Sequence, residues 1–381
     1  MSQSSINGRA APLDAAIAEA AGLIGKSRLT VVAGLGADVA GAQAAIALCE
    51  RIGGVVDHMS STALLRDLDV LRESGMMLTT PGEARTRGDV VLLVGDGLVE
   101  SGLLEAMPDL RTRALTPPAA EGALRRIFRL GADEADKVDM RALAGAAADS
   151  VSKIETISSD AASLPGWLAA LRARVNGRPV ALSGARSGEI DALAAALRSA
   201  KFGVAVWSAA RLDVLTIEML CGLVRDLNAK TRFTGLPLAP GDNAAGVLQV
   251  CGGMTGFPMR TGFGSGVPEH DSWVFDAERL VESGEADCAL WISAYGAEAP
   301  RWRKPIPLIA LTAAAAEFSR PPTVRIAVGR PGVDHDSVDY CPAMGTLVAK
   351  AASHPSQTPS VAEVIGRLVV ALGDDAGAAS C

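Results

Sequence analysis

The chain has 381 residues, of which 49% are hydrophobic and 21% charged, and carries a formal net charge of −7. This composition suits an ordered globular protein with enough core for two or three domains, and the acidic balance without any Lys/Arg stripe argues against a nucleic-acid partner, which needs clustered cations on phosphate. Its apolar runs are broken by Gly, Pro or charge well short of the roughly 20 residues that span a bilayer, and the polar start Met1-Ser2-Gln3-Ser4-Ser5 lacks a signal-peptide core, so a cytoplasmic protein without membrane contact is expected.

In chain order, an amphipathic helix is predicted over residues 13–24 and a first strand over 29–33, broken by Gly34-Leu35-Gly36. A helix over 40–51 follows, with Asp38 as its candidate N-cap, then a strand at 55–57 and a polar turn, Met59-Ser60-Ser61-Thr62-Ala63. Gly34 and Gly36 begin a dinucleotide-like fingerprint, but Gly41 falls two residues late for Gly-x-Gly-x-x-Gly. The pattern therefore reads as a tight strand-to-helix turn and not as a nicotinamide site. Further strands are predicted at 90–94, 126–130, 180–183, 203–206, 289–293, 308–311 and 324–328, with helices at 189–199 and 214–228 between them. Such alternation marks parallel sheets covered on both faces.

Two changes of texture divide the chain. Residues 149–163 are rich in Ser, Asp and Ala, and His354-Pro355-Ser356-Gln357-Thr358-Pro359 forms a linker before an amphipathic helix at 361–372. The expected organisation is a tail and helix (1–27), a first Rossmann-like unit (28–160) that C-terminal strands could complete, a second unit with a Gly-rich loop region (161–352), and a linker with a C-terminal helix (353–381).

The six cysteines, Cys49, Cys221, Cys251, Cys288, Cys341 and Cys381, include no Cys-x-x-Cys pair, so the convergent thiolates of an iron–sulfur cluster are missing. Cys49 and Cys288 lie in apolar stretches and read as buried small hydrophobes. The His–carboxylate neighbours, Asp57-His58, Glu269-His270-Asp271 and Asp334-His335-Asp336, lack the spacing that puts two imidazoles on one metal; they read as solvated turns. No Gly-x-Ser-x-Gly elbow follows a strand, which excludes that type of serine hydrolase. Dense glycine over residues 241–258 implies left-handed backbone or a close approach to something. The loop Gly184-Ala185-Arg186-Ser187-Gly188 repeats the strand-end situation of Gly34-Leu35-Gly36.

Three blocks together resemble the molybdenum- or tungsten-bearing B subunit of formylmethanofuran dehydrogenase: residues 29–94; residues 241–263, with an Asn-x-x-Gly turn at Asn243 and Gly246 and Thr255-Gly256-Phe257-Pro258 after it; and residues 306–348. The resemblance implies two Rossmann-like units of parallel sheet flanked by helices, as in the central domains of molybdopterin oxidoreductases, without the N-terminal iron–sulfur segment. It also implies a cofactor cleft at the carboxyl ends of the strands, for which Gly34, Gly36, Ala63, Gly184, Asn243, Gly246, Gly253 and Thr255 are the vestigial candidates, left water-filled or closed by side chains such as Arg66, Met254 or Phe257. Ala63 stands where that family carries a metal-ligating Cys. No catalytic residue and no metal ligand is therefore expected, and molybdopterin, molybdenum or tungsten and the iron–sulfur cluster are expected to be lost.

The same pattern is similar to the B subunits of formyltransferase/hydrolase complexes of aerobic methylotrophic bacteria. That resemblance implies a non-catalytic scaffold partnered by an A hydrolase subunit, a C subunit and a D formyltransferase subunit, in a complex that converts formyl-tetrahydromethanopterin to formate through a methanofuran-type carrier. Met76-Met77-Leu78 and Trp302 are candidate apolar interface residues. Two other classes stay open: a catalytic molybdopterin subunit with Cys49 or Ser60-Ser61 as substitute ligand, and a small-molecule-binding module using the vacated cleft.

Overall fold

The computed structural model describes residues 4–96, 98, 125–131, 151–181, 185–313 and 316–373. The chain forms two compact units that interleave along the sequence: residues 1–65, 240–340 and 347–381 make the first, and residues 66–239 with 341–346 the second.

The first unit contains β1 (Ser4–Ile6), β2 (Arg9–Ala10), α1 (Leu13–Lys26), β3 (Thr30–Gly36), α2 (Val39–Ile52) and β4 (Val55–Val56), and it begins α3 (Ser61–Ser74). The second holds α4 (Pro81–Arg87), β5 (Val90–Val94), β6 (Arg125–Leu130), β7 (Val151–Ile157), α5 (Leu164–Val175), α6 (Ala185–Arg198), β8 (Gly203–Trp207), α7 (Val214–Leu227) and β9 (Phe233–Pro237). The chain then returns to the first unit with α8 (Ala244–Thr255), β10 (Thr261–Gly262), β11 (Glu269–His270), α9 (Ala277–Ser283), β12 (Cys288–Ser293), β13 (Leu308–Thr312) and β14 (Val324–Ala327). A hairpin of β15 (Ser337–Cys341) and β16 (Thr346–Lys350) and the helix α10 (Val361–Ala371) complete it. Among the described residues, no helix is long and apolar enough to cross a membrane.

Both large sheets are built on parallel pairs. In the first unit the order is β11-β10-β4-β3-β12-β13-β14-β1-β2, parallel from β4 to β14 and antiparallel at the two edges. Alternate residues of β3 and β12 serve opposite faces, as a period of two requires. Val32, Leu290 and Ile292 join a core with α1, α2 and α10, whereas Val31, Ala33, Ala289 and Trp291 join one with α9. The helices start where side chains can take over the first orphan backbone N–H groups: Asp38 caps α2, Asp276 caps α9, and Ser360 with Glu363 forms a capping box on α10.

In the second unit the five strands run β7-β6-β5-β8-β9, all parallel. The pairing of β5 with β8 and of β6 with β7 places residues on both sides of position 160 in one sheet. The compositional break at 149–163 is thus a connection inside a unit, and the crossings between units occur near 65 and 240 and on either side of residues 341–346. Residues 180 and 181 carry no strand, and residues 182 and 183 of the expected strand at 180–183 lie outside the described residues. The expected turn at 59–63 is shorter than predicted, because Leu64 N–H already donates to Ser60 O and α3 begins at Ser61.

Gly34 sits inside β3 at φ +74°, beside a register irregularity opposite Trp291 and Ser293. A Cβ there would lie 2.6 Å from Ile292 O and 2.9 Å from the Trp291 ring. Gly34→Ala therefore combines a left-handed residue with a backbone clash and should cost about 3 kcal/mol or more. Gly253, on the exposed side of α8 with nothing within 4 Å of a built Cβ, should accept Ala with a change of at most about 1 kcal/mol in the stabilising direction. Thermal melts followed by circular dichroism check both; equal behaviour of the two variants would remove the packing argument for Gly34.

Candidate functional site

In the first unit, β3 has its sequence successor β4 on one side and β12 on the other, so strand order reverses between β3 and β12. In an open α/β sheet, the crevice outside the carboxyl ends of two such strands is where ligands bind. Here those ends are Gly36-Ala37-Asp38 and Ser293-Ala294-Tyr295, and the start of α8 and the β15–β16 hairpin reach the same place.

Asn243 organises the crevice. Its backbone and that of Asp242 are both left-handed (φ +58° and +56°). Its Nδ2 donates to Ala37 O (2.8 Å), and its Oδ1 accepts from Tyr340 N–H (2.8 Å). A Cβ on Gly246 would lie 2.2 Å from that same Oδ1, so the Asn-x-x-Gly spacing exists to seat the Asn243 amide. Nearby, Tyr295 donates to Asp339, Ser337 Oγ donates to Asp339 Oδ2 (2.7 Å), and Lys350 Nζ approaches the same carboxylate (3.3 Å). Ser293 Oγ donates to Glu298 Oε2 (3.1 Å).

Of the sequence-predicted residues, Gly36 and Asn243 meet at this crevice; a Cβ on Gly36 would touch Met59 (3.2 Å) and Asp242 (3.4 Å). Gly34 faces β12. Gly253 and Thr255 lie at the far end of α8, roughly 15–18 Å from Asn243 at 1.5 Å per residue. There Thr255 Oγ1 donates to Cys251 O (2.7 Å) and accepts from Phe257 N–H (3.0 Å), a local helix-end cap. Ala63 is buried in the first turn of α3. Gly184 lies outside the described residues.

The closing side chains differ from expectation. Arg66 belongs to the second unit, where Nη1 donates to Ala209 O and Leu212 O. Met254 and Phe257 are exposed, and Phe257 stacks on His270. An open groove of about 730 Å³ lies elsewhere, between α1 and α10, lined by Leu13, Ile17, Gly366 and Val370 among others.

Burial dominates the electrostatics of the strand ends. It raises the Asp38 carboxyl against the lowering effect of its bond to Gly41 N–H, and it raises Asp242 to about 6, with Glu298 adding like-charge repulsion. Tyr295 is pushed far up, by burial first and by its bond to Asp339 second.

Asp57 and His58, expected in a solvated turn, are buried, because β4 ends between α3 and α9. Burial raises Asp57 to about 6 despite Arg260 Nε at 3.5 Å, and lowers His58 to about 4. Asp57 Oδ2 accepts from Ala277 N–H (3.0 Å). Arg260, held at φ +64°, also bonds Thr62 Oγ1 (2.8 Å) and Asp276 (2.5 Å). Cys49 is fully buried and its thiol is pushed well up by desolvation, which denies it the exposed thiolate a metal ligand needs. Among the described residues, no group of three or more His, Cys, Asp or Glu is arranged to hold a metal ion.

The chain is 34% identical, over 97% of its length and 96% of the relative's, to the B subunit of the formyltransferase/hydrolase complex Fhc from Methylorubrum extorquens. It belongs to the family of formyltransferase/hydrolase complex B subunits. The crystal structure of the formyltransferase/hydrolase complex (FhcABCD) from Methylorubrum extorquens, in complex with methylofuran, contains a chain that superposes with a TM-score of 0.82 at 32% identity, covering 97% of this chain and 98% of that one. A more distant relative is the B subunit of the tungsten-containing formylmethanofuran dehydrogenase 2 of Methanocaldococcus jannaschii, 26% identical over 74% of this chain and 63% of its own length. No family model matches the chain.

Sequence reasoning had Asn243 and Gly246 but not the polar groups around them. Asp242 was signalled only by preceding Asn243, and Tyr295 only by rarity, since the chain has two tyrosines. Trp302, expected as an exposed interface residue, is buried edge-on against Trp291, with ring centroids 5.6 Å apart. Met77 and Leu78 are exposed as expected.

Asp242 gives a pH signature. Its folded-state pKa lies above its ordinary value, so its contribution to stability is present below about pH 4 and is lost as the pH rises through about 6. Asp242→Asn, which keeps the shape and tolerates the left-handed backbone, should stabilise the protein relative to the parent at pH 8 by about 1–2 kcal/mol after discounting for partial exposure. The difference should shrink by pH 4.5. Denaturant titrations at the two pH values measure it, and a pH-independent difference would mean that the carboxylate is not held out of water.

Proposed function

We propose that this chain is a non-catalytic scaffold subunit of a cytoplasmic formyltransferase/hydrolase complex, assembled with an A hydrolase subunit, a C subunit and a D formyltransferase subunit. The complex converts formyl-tetrahydromethanopterin to formate through a methanofuran-type carrier in one-carbon (formaldehyde) oxidation. The observation that carries this reading is the 34% identity to the Fhc B subunit along nearly the whole of both chains. The two α/β units correspond, in this reading, to the paired Rossmann-like units of molybdopterin oxidoreductases.

The residues present do not suit that family's redox cofactor. At the position of the metal-ligating Cys stands Ala63, whose methyl group has no lone pair to offer, and it is buried in a helix turn. Cys49 is sealed in the core, and Ser61 Oγ is engaged with His58 N–H. The contribution of the chain is then structural, with exposed Met77 and Leu78 as candidate contacts to the other subunits.

Affinity purification of the tagged chain from its native host should recover larger partners in a fixed ratio; a monodisperse monomer from that source would count decisively against the scaffold role. Elemental analysis of the purified complex should show no stoichiometric molybdenum or tungsten, and Ala63→Cys should neither load metal nor create dehydrogenase activity. Turnover or metal loading restored by that single substitution would show that the redox site is intact apart from one residue.

A further inference from the structure

We infer that the switch-point crevice of the first unit is filled from within, with Asp38 acting as a resident substitute for a ligand's phosphate, so that this unit is closed to phosphate-bearing cofactors. The inference builds on the reading of the chain as a subunit without its family's redox cofactor and adds the cause. In doubly wound folds, the start of the helix that follows the switch-point strand holds a phosphate on its free N–H groups. That helix is α2, which follows β3 directly. Its N-terminus already carries an anion: Asp38 Oδ1 accepts from Gly41 N–H at 2.9 Å, and the residue is only 4% exposed. A Cβ on Gly41 would lie 2.9 Å from Ala37 Cβ and 3.0 Å from the Asp38 carboxylate, so the chain leaves out a side chain where the carboxylate seats.

Two further glycine positions of the first unit are taken in the same way by the protein's own groups. The space beside Gly34 is filled by Ile292 O and the Trp291 ring, and the space over Gly246 by the Asn243 amide. The charge of the surroundings is also wrong for phosphate. Asp242, Glu298 and Asp339 face the crevice, and the Lys350 ammonium that approaches it is held by Asp339. His335 is near enough to favour the Asp38 carboxylate electrostatically. A phosphate would have to displace Asp38 and then sit among three more carboxylates.

The test uses the full chain in the assembly in which it purifies, with inorganic pyrophosphate in metal-free buffer as the probe, read by equilibrium dialysis and by thermal shift. The native protein should show no saturable binding at millimolar pyrophosphate. Asp38→Ser keeps a hydroxyl cap but removes the charge and opens the space, and Asp38→Gly, a tolerated cap, opens it further. Each variant that retains the native circular dichroism spectrum should bind pyrophosphate at least about tenfold more tightly than the parent, with a rise in melting temperature of about 3 °C near saturation. Saturable binding by the native chain, or folded variants as indifferent as the parent, would overturn the inference. Molybdenum and tungsten content decides the scaffold reading separately: a native complex free of both metals that binds pyrophosphate sinks only the closed-crevice inference.

Discussion

The carboxamide of Asn243 is the tie on which the first unit's strand ends depend. One side chain donates to the carbonyl that closes β3 and accepts from the backbone of β15, joining segments 206 and 97 residues away in sequence. One bond uses a backbone carbonyl just past the end of β3 and the other a backbone N–H on β15, and a buried donor or acceptor left without a partner costs about 1–3 kcal/mol. To make them, the chain holds two successive non-glycine residues in the left-handed region and omits a side chain at Gly246. Such local cost is retained only where surrounding contacts repay it.

Around that tie the first unit concentrates charge where water is scarce. Asp38, Asp57, Asp242 and Tyr295 are all shifted toward their neutral forms, with burial as the leading cause in every case. Perturbed groups of this kind often mark a functional site. Here nearly every polar partner is another group of the same unit: Asp38 with Gly41, Tyr295 and Ser337 with Asp339, Ser293 with Glu298, and Arg260 with Asp57, Asp276 and Thr62. Although Asp57 Oδ1 and Arg260 Nε have no hydrogen-bond partner among the described residues, polar groups that mostly bond one another hold loops in place and are poorly suited to exchange with a ligand. This agrees with the scaffold role proposed above.

The division of the chain shows how composition can mislead. A polar stretch is usually a linker, because ordering it buries little apolar surface. Residues 149–163 look like one, yet β7 begins at Val151 and pairs with β6 inside the second unit. Two of the crossings between the units fall instead in α3, where the helical pattern runs on unbroken, and at Pro240, a Pro/Gly turn much shorter than the 149–163 stretch. Cooperative packing of a sheet and its helices decides where a unit ends, and local composition only biases it.

The sequence by itself determined the elements that rest on local rules: the buried strands at Thr30–Gly36, Val90–Val94, Cys288–Ser293 and Leu308–Thr312, the amphipathic helices α1, α7 and α10, the Asp38 cap and the core position of Cys49. Period, capping chemistry and burial of small apolar residues act over a few residues, so they can be read without a partner. It also carried family membership, through Asn243, Gly246 and the alanine at position 63. Only the tertiary structure decided that Asp57, His58 and Trp302 are buried, that Gly253 and Thr255 lie away from Asn243, and that Asp242, Glu298, Tyr295 and Asp339 converge. Those outcomes depend on which strands become neighbours, and strand order is set by contacts hundreds of residues apart that no local pattern encodes.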